Sequence, residues 1–277
     1  SPSGFIYGVL NYPIGGPAAF FVLGLAAGFG YNRDLILPDD LGTINTHWLV
    51  RDALDSAGGA GAPKALPAST GSAAAGQPGA DTNAIAAKLR QVQASVPPRK
   101  GQNFLAAGIR FTTFQLLDSF VLVTVAFGQH FEVNVIGLTT LRLPPKAPVT
   151  PVAVVQLAIR ARFAPDEGEI SVRGQLTGAS YLFSTDNHLT GGFAFASWFK
   201  GPHAGDFVIT FGGYHPNFQR PAHYPDVPRL GFNWVVNDHL TIKGGIYLAL
   251  TPGMIMAGGA LSATWNSDDV TASFLVG

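Results

Sequence analysis

The chain has 277 residues, 17 Lys+Arg against 17 Asp+Glu, charged residues at only 12% and no cysteine. That balance argues against nucleic acid as a partner, because phosphate contacts need a basic face. The missing thiols exclude disulfide scaffolds, Cys-ligated metals and cysteine nucleophiles. Apolar residues at 47% can support a core, and 34 Gly with 20 Pro suggest strands and turns rather than long helices.

The chain opens Ser1-Pro2-Ser3-Gly4 with no Met and no basic segment before an apolar run, so no secretory signal is visible. It stops at Ser273-Phe274-Leu275-Val276-Gly277, inside a strand-like pattern. The expectation is one β-rich domain over 1–277, cut from a longer polypeptide. No compartment can be read, an extracellular or cell-envelope one fitting slightly better. The first charge is Arg33. Phe5 to Leu10 reads as a strand. Pro17 to Tyr31 (PAAFFVLGLAAGFGY) has the Gly24/Gly28 spacing of a packed membrane helix. Its apolar stretch of about 15 residues is shorter than the roughly 20 a span needs. Gly24, Gly28 and Gly30 would also weaken a helix, which leaves a buried strand as the expectation.

Residues 40–99 read as an insert, a cover or spacer between β regions. Thr46 caps a short amphipathic helix from His47 to Leu54. Residues 56–81 are almost wholly Ala, Gly, Pro, Ser and Thr, too poor in bulky side chains to offset ordering entropy. Thr82 caps a second helix from Asn83 to Ser95, with Ile85, Leu89 and Val92 on one stripe. Pro97-Pro98 ends it.

From Asn103 onward the hydrophobic period is two. Strands are expected over Phe104–Thr113, Leu117–Gly128 and His130–Leu143. In the next hairpin Ala153, Val155, Leu157, Ile159, Ala161 and Phe163 form one face. The turn Ala164-Pro165-Asp166-Glu167 then pairs Arg162 with Glu169, Ala161 with Ile170 and Ile159 with Val172. Gly192–Lys200 returns as Phe207–Tyr214. Leu230–Val236 returns as Leu240–Leu250 through Asn237-Asp238-His239, aligning Trp234 with Ile242, Phe232 with Gly244 and Asn233 with Lys243. A last pair joins Gly259–Trp265 to Val270–Val276. Thr251-Pro252-Gly253-Met254 makes a turn, with Met254 and Met256 filling a core gap. The total is about 11 or 12 strands, mostly sequential and antiparallel.

Phe120–Phe127 (FVLVTVAF) and Phe193–Phe199 are apolar on both faces, unlike a sheet with one wet side. The surplus must meet a second layer, a ligand, a lipid or a partner. A closed core, an apolar groove and an outer-membrane-type barrel all satisfy that demand. The barrel accounts for aromatic residues near strand ends, but fits the insert and the long 215–229 loop poorly.

Five histidines gather between His188 and His239. If the hairpin ends converge, His203, Asp206, His215 and His223 would suit a water-activating metal site, or His215 a general base oriented by Asp206. The blander reading is that Tyr214-His215-Pro216 and His223-Tyr224-Pro225 brace a proline-rich loop through backbone hydrogen bonds. No HExxH spacing, phosphate loop or GxSxG elbow is present.

The run Gly205-Asp206-Phe207-Val208-Ile209-Thr210-Phe211-Gly212-Gly213-Tyr214-His215-Pro216 is followed by His223-Tyr224-Pro225 and Val227-Pro228-Arg229-Leu230-Gly231. With Tyr247-Leu248-Ala249-Leu250-Thr251-Pro252, Met256-Ala257-Gly258-Gly259 and the earlier Gly24–Asn32 stretch, it resembles a bacterial and fungal family catalogued as domain of unknown function 6603. The resemblance covers nearly the whole chain and implies long proteins rich in amphipathic strands, with no established activity, cofactor or catalytic residue.

The expected fold class is mainly β: antiparallel sheets forming a sandwich, a barrel-like structure or an open amphipathic sheet, with a short two-helix insert. The expected role is a non-enzymatic structural or binding module. Its apolar sheet surface is buried in the rest of its own chain or a protein assembly, or shelters a lipid or other hydrophobic ligand. No cofactor is implied. The alternatives are an outer-membrane-type barrel and a His/Asp metal-dependent hydrolase. His203, Asp206, Tyr214, His215, His223 and Tyr224 are the candidate ligand-binding residues.

Overall fold

The computed structural model describes residues 2–48, 50, 64–65, 90, 92–145, 150–266 and 271–277. The chain forms one 16-stranded sheet in which every pairing is antiparallel. In chain order its strands are β1 (Gly4–Leu10), β2 (Phe21–Tyr31), β3 (Lys64–Ala65), β4 (Asn103–Thr113), β5 (Leu117–Phe127) and β6 (Glu132–Leu143). There follow β7 (Ala153–Ala164), β8 (Glu169–Leu176), β9 (Tyr181–Leu182), β10 (Ser184–Thr190), β11 (Gly192–Trp198) and β12 (Phe207–Phe211). The last are β13 (Leu230–Val235), β14 (Leu240–Thr251), β15 (Met254–Asn266) and β16 (Thr271–Val276).

Three of the connections look complicated but are interruptions of single strands. β8 and β9 share one edge of β7, at residues 157–164 and 153–154. β12 and β13 share one edge of β14, at 248–250 and 241–246. Gly191 alone separates β10 from β11. Read this way, the sheet is an up-and-down meander from β1 to β16, with β3 added outside β1. Among the described residues no strand pairs with the far side of β16, so the two ends of the sheet do not join. The expected strand over 17–31 is β2, beginning at Phe21, and among the described residues no helix is long and apolar enough to cross a membrane.

Strand alternation sorts the side chains into two unlike faces. One carries every charged strand residue whose side chain is described. It is covered by non-sheet segments. Over β1, β2 and β4–β7, the buried Phe5, Tyr7, Phe104, Phe120, Leu122, Ile136 and Leu138 pack against Leu37, Leu41, Ile44, Trp48, Val50, Val92 and Val96. The described part of the insert is therefore a cover. Of its two expected helices, residues 92–95 are helical and stop before Pro97-Pro98, and 41–46 form a 3-10 turn capped by Asp40. Of the expected 47–54 helix only 47, 48 and 50 are described, with 48 and 50 helical, and most of 83–95 lies outside the described residues, so the two-helix form is not what the structure describes.

Over β11, β12, β14 and β15, the second cover is the loop 213–229. Its Tyr214 and Tyr224 bury against Trp198, Val208, Ala249 and Met256. Met256 fills this core as expected, whereas Met254 is exposed at 47%, because the turn places it beyond the loop's reach.

Two hairpins test register. The β13–β14 pair aligns Trp234 with Ile242, Phe232 with Gly244 and Asn233 with Lys243, as the three-residue loop requires. The β7–β8 pair differs from expectation by two residues: Ala164 faces Glu169, Phe163 faces Ile170 and Ile159 faces Gly174. The turn takes Gly168, at φ +74, rather than Ala164, because that backbone conformation favours glycine. A Cβ on Gly168 would also collide with Lys200. An even shift leaves every side chain on its intended face.

Candidate functional site

Among the described residues nothing covers the second face of the sheet. Leu25, Phe29, Leu105, Val123, Phe163, Ile170, Phe211, Ile246, Leu248, Leu261, Trp265 and Phe274 all lie on it and are exposed. Among the described residues no charged side chain belongs to it. Ser119 and Thr139, polar residues of this face, satisfy each other across β5 and β6 at 3.1 Å. Strands Phe120–Phe127 and Phe193–Phe199 are thus apolar on both sides for two reasons. Their inward residues meet the covers, and their outward residues continue an open apolar surface. It includes a depression of about 710 Å³ lined by Leu176, Leu189, Leu230, Phe232, Ile246 and Leu261 and by glycines 231, 244, 245 and 259.

On the covered face the hairpin ends do converge. Asp206 accepts hydrogen bonds from the Tyr224 hydroxyl (2.7 Å) and the Phe207 amide (2.8 Å), and its other oxygen meets His223 Nε2 at 2.8 Å. His203 stacks on His223 with ring centres 3.7 Å apart, and Trp198 meets both His223 and Tyr224. Tyr214 stacks near Tyr224 and donates to the Pro225 carbonyl at 3.0 Å. Five of the six sequence-nominated residues therefore share one cluster. His215 does not join it. Its ring lies edge-on to Tyr247, and its Nδ1 accepts from the Asn217 amide.

The electrostatics are those of a clasp. Burial pushes the Asp206 carboxyl up, but the hydrogen bonds from His223, Tyr224 and Phe207 outweigh it and hold the group below its ordinary value. Tyr224 is driven upward by burial and by Asp206, and Tyr214 is pushed up to about 12 by burial. Both phenols stay neutral donors. Among the described residues no three His, Cys, Asp or Glu are placed so that they could hold a metal ion, so the metal-dependent hydrolase alternative finds no ligand set there.

Between the two covers lies a charged cleft of about 630 Å³ that sequence reasoning did not single out. Arg162 binds Glu132, Glu167 and Glu169 at 2.8–3.0 Å. Arg160, only 8% exposed, bonds Asn134, the Pro38 carbonyl and Asp39. Burial lowers Glu132's acidity, yet Arg162 and Asn134 reverse this and pull its pKa below the usual value. Burial likewise lowers Arg160 despite Asp39 beside it. The alternation of Arg160 and Arg162 was visible in the sequence. Arg160's partner Asp39, 121 residues away in the chain, was not. His223, Trp198 and Pro225 border the same cleft, so the clasp forms one wall of it.

Comparison with known proteins adds one fact. A family model described as a family of unknown function, DUF6603, matches residues 1–277, the entire chain. The chain belongs to DUF6603. No curated protein and no solved structure matches this DUF6603 chain.

Proposed function

We propose that this DUF6603 chain is a non-enzymatic lipid-binding module whose open sheet face holds acyl chains. The observation that carries the reading is an apolar face, crossing the sheet from β1 to β16, that is uncharged and uncovered among the described residues. Monomeric proteins seldom expose apolar patches beyond a few hundred Å². At about 25 cal/mol per Å², each 1,000 Å² left in water forgoes roughly 25 kcal/mol of burial. A protein partner of standard size would bring about ten hydrogen bonds and a polar rim to be matched. This face offers almost nothing to match them, whereas a hydrocarbon chain asks for none.

The test uses the chain stripped of lipid and titrated with a fluorescent palmitate analogue. Saturable binding is expected. Leu261→Arg, at the rim of the 710 Å³ cavity, should weaken it by about tenfold or more while the far-ultraviolet circular dichroism is kept. Absence of saturable binding, or an unaffected Leu261→Arg, overturns the reading. Self-association through the face would favour an assembly instead, and insertion into vesicles with heat-modifiable migration would favour the barrel.

A further inference from the structure

Strand pairing sets Arg160 on β7 directly opposite Arg173 on β8, both on the covered face. Like charges placed so repel each other and cost stability. The two guanidiniums converge on one atom, Asp39 Oδ1, at 2.7 Å from Arg160 and 3.6 Å from Arg173. The longer contact is no hydrogen bond, and the Arg173 guanidinium makes none among the described residues, although its side chain is only 30% exposed. The Asp39 side chain is 87% exposed at the border of the charged cleft, where water weakens its hold. Two cations thus share one exposed carboxylate, which leaves this end of the cleft with an excess of positive charge.

The other end carries the opposite excess. Arg162, two residues along β7, is met by Glu132, Glu167 and Glu169, three carboxylates for one guanidinium. Asp34 and Arg99, which also border the cleft, cancel each other at 2.7 Å. The two poles stand about 7 Å apart along the strand backbone, as residues of one face do. Leu35, Ile36 and Pro225 give the same cleft an apolar border. Its volume of about 630 Å³ is that of a small-molecule site. A ligand of one sign is repelled at one pole, whereas a dipolar one complements both.

We infer that the cleft binds a small zwitterion of the ω-amino acid type, with its carboxylate on Arg160 and Arg173 in place of Asp39. Its ammonium lies among Glu132, Glu167 and Glu169, and its methylene stem runs along the apolar border. The site is on the face opposite the open apolar surface and does not depend on lipid binding.

The test is calorimetric titration of the chain with 6-aminohexanoate, at low salt and without phosphate. Binding is expected, about tenfold tighter than that of hexanoate, hexylamine or glycine, whose charges are single or adjacent. Arg173→Gln should weaken it about tenfold without lowering the melting temperature, because no hydrogen bond is lost and the repulsion with Arg160 is relieved. Asp39→Asn keeps an acceptor for Arg160 but removes the competing charge, and should tighten binding several-fold. Hexanoate or hexylamine binding as tightly as 6-aminohexanoate overturns the inference, as a site for one charge only. Glycine binding as tightly overturns the two-pole geometry. Absence of binding, binding unchanged in Arg173→Gln, or weaker binding in Asp39→Asn overturns it as well, and leaves these charges as a brace between strands and cover.

Discussion

Leu122 and Val123 are neighbours on β5, yet they point to opposite faces of the sheet, and substituting each should have opposite consequences. Leu122 is fully buried at 0% exposure, in the core that includes Trp48, Ile44 and Phe120. Leu122→Ala removes its transfer energy and leaves a cavity in a site closed by packed side chains, a loss of about 3–5 kcal/mol. Val123 is 38% exposed on the uncovered face. Val123→Thr keeps its shape and β-branching and presents a hydroxyl to open space, so its cost should fall within about 0.5 kcal/mol. Urea unfolding of the lipid-stripped proteins, followed by circular dichroism, reads both numbers on one scale. A Val123→Thr loss comparable to that of Leu122→Ala would mean that the chain itself buries this face in solution, and the reasoning from an open surface would be wrong.

Three further outcomes can be checked by thermal unfolding. His47 is pushed down to about 4 by burial, and its Nδ1 is buried without a partner, so the unfolded chain takes up a proton that the folded one refuses. Stability should be full above pH 6.5 and decline toward pH 4, and His47→Gln should flatten that slope. Asp206, held below its ordinary value, stabilises above the usual carboxylate range and loses that contribution as the pH falls through its folded value. Asp206→Asn should lower the melting temperature most at neutral pH and least in acid, and an equal loss at both would contradict the clasp. Gly168→Ala should cost more than about 2 kcal/mol, since it combines a left-handed backbone with a clash against the Lys200 backbone. A neutral result would restore the turn expected from the sequence.

Much of the sheet could be read directly because alternation is a local signal. The β13–β14 register follows from a three-residue loop, and the strand over 21–31 from its glycines. The β7–β8 register was missed by two residues because both frames preserve the apolar faces. Only the backbone angle at Gly168 separates them. The candidate cluster was readable as a list, since His203, Asp206, Tyr214, His223 and Tyr224 all lie at turns between β11 and β13. His215 separated from it because its ring turns toward Tyr247 on β14 instead, a contact the sequence pattern does not reveal. The covers were harder. Nothing in the pattern of β6 and β7 says that Pro38 and Asp39 will close over Arg160, a contact set by tertiary packing alone. The doubly apolar strands signalled a companion surface, without telling which face the chain would cover for itself.

The most direct test of the lipid-binding reading is to purify the chain without detergent, extract it with organic solvent and quantify the extract by mass spectrometry. The account predicts acyl lipids at or above one per chain, depleted in Leu261→Arg. A lipid-free, monodisperse monomer with its apolar face in water would contradict it.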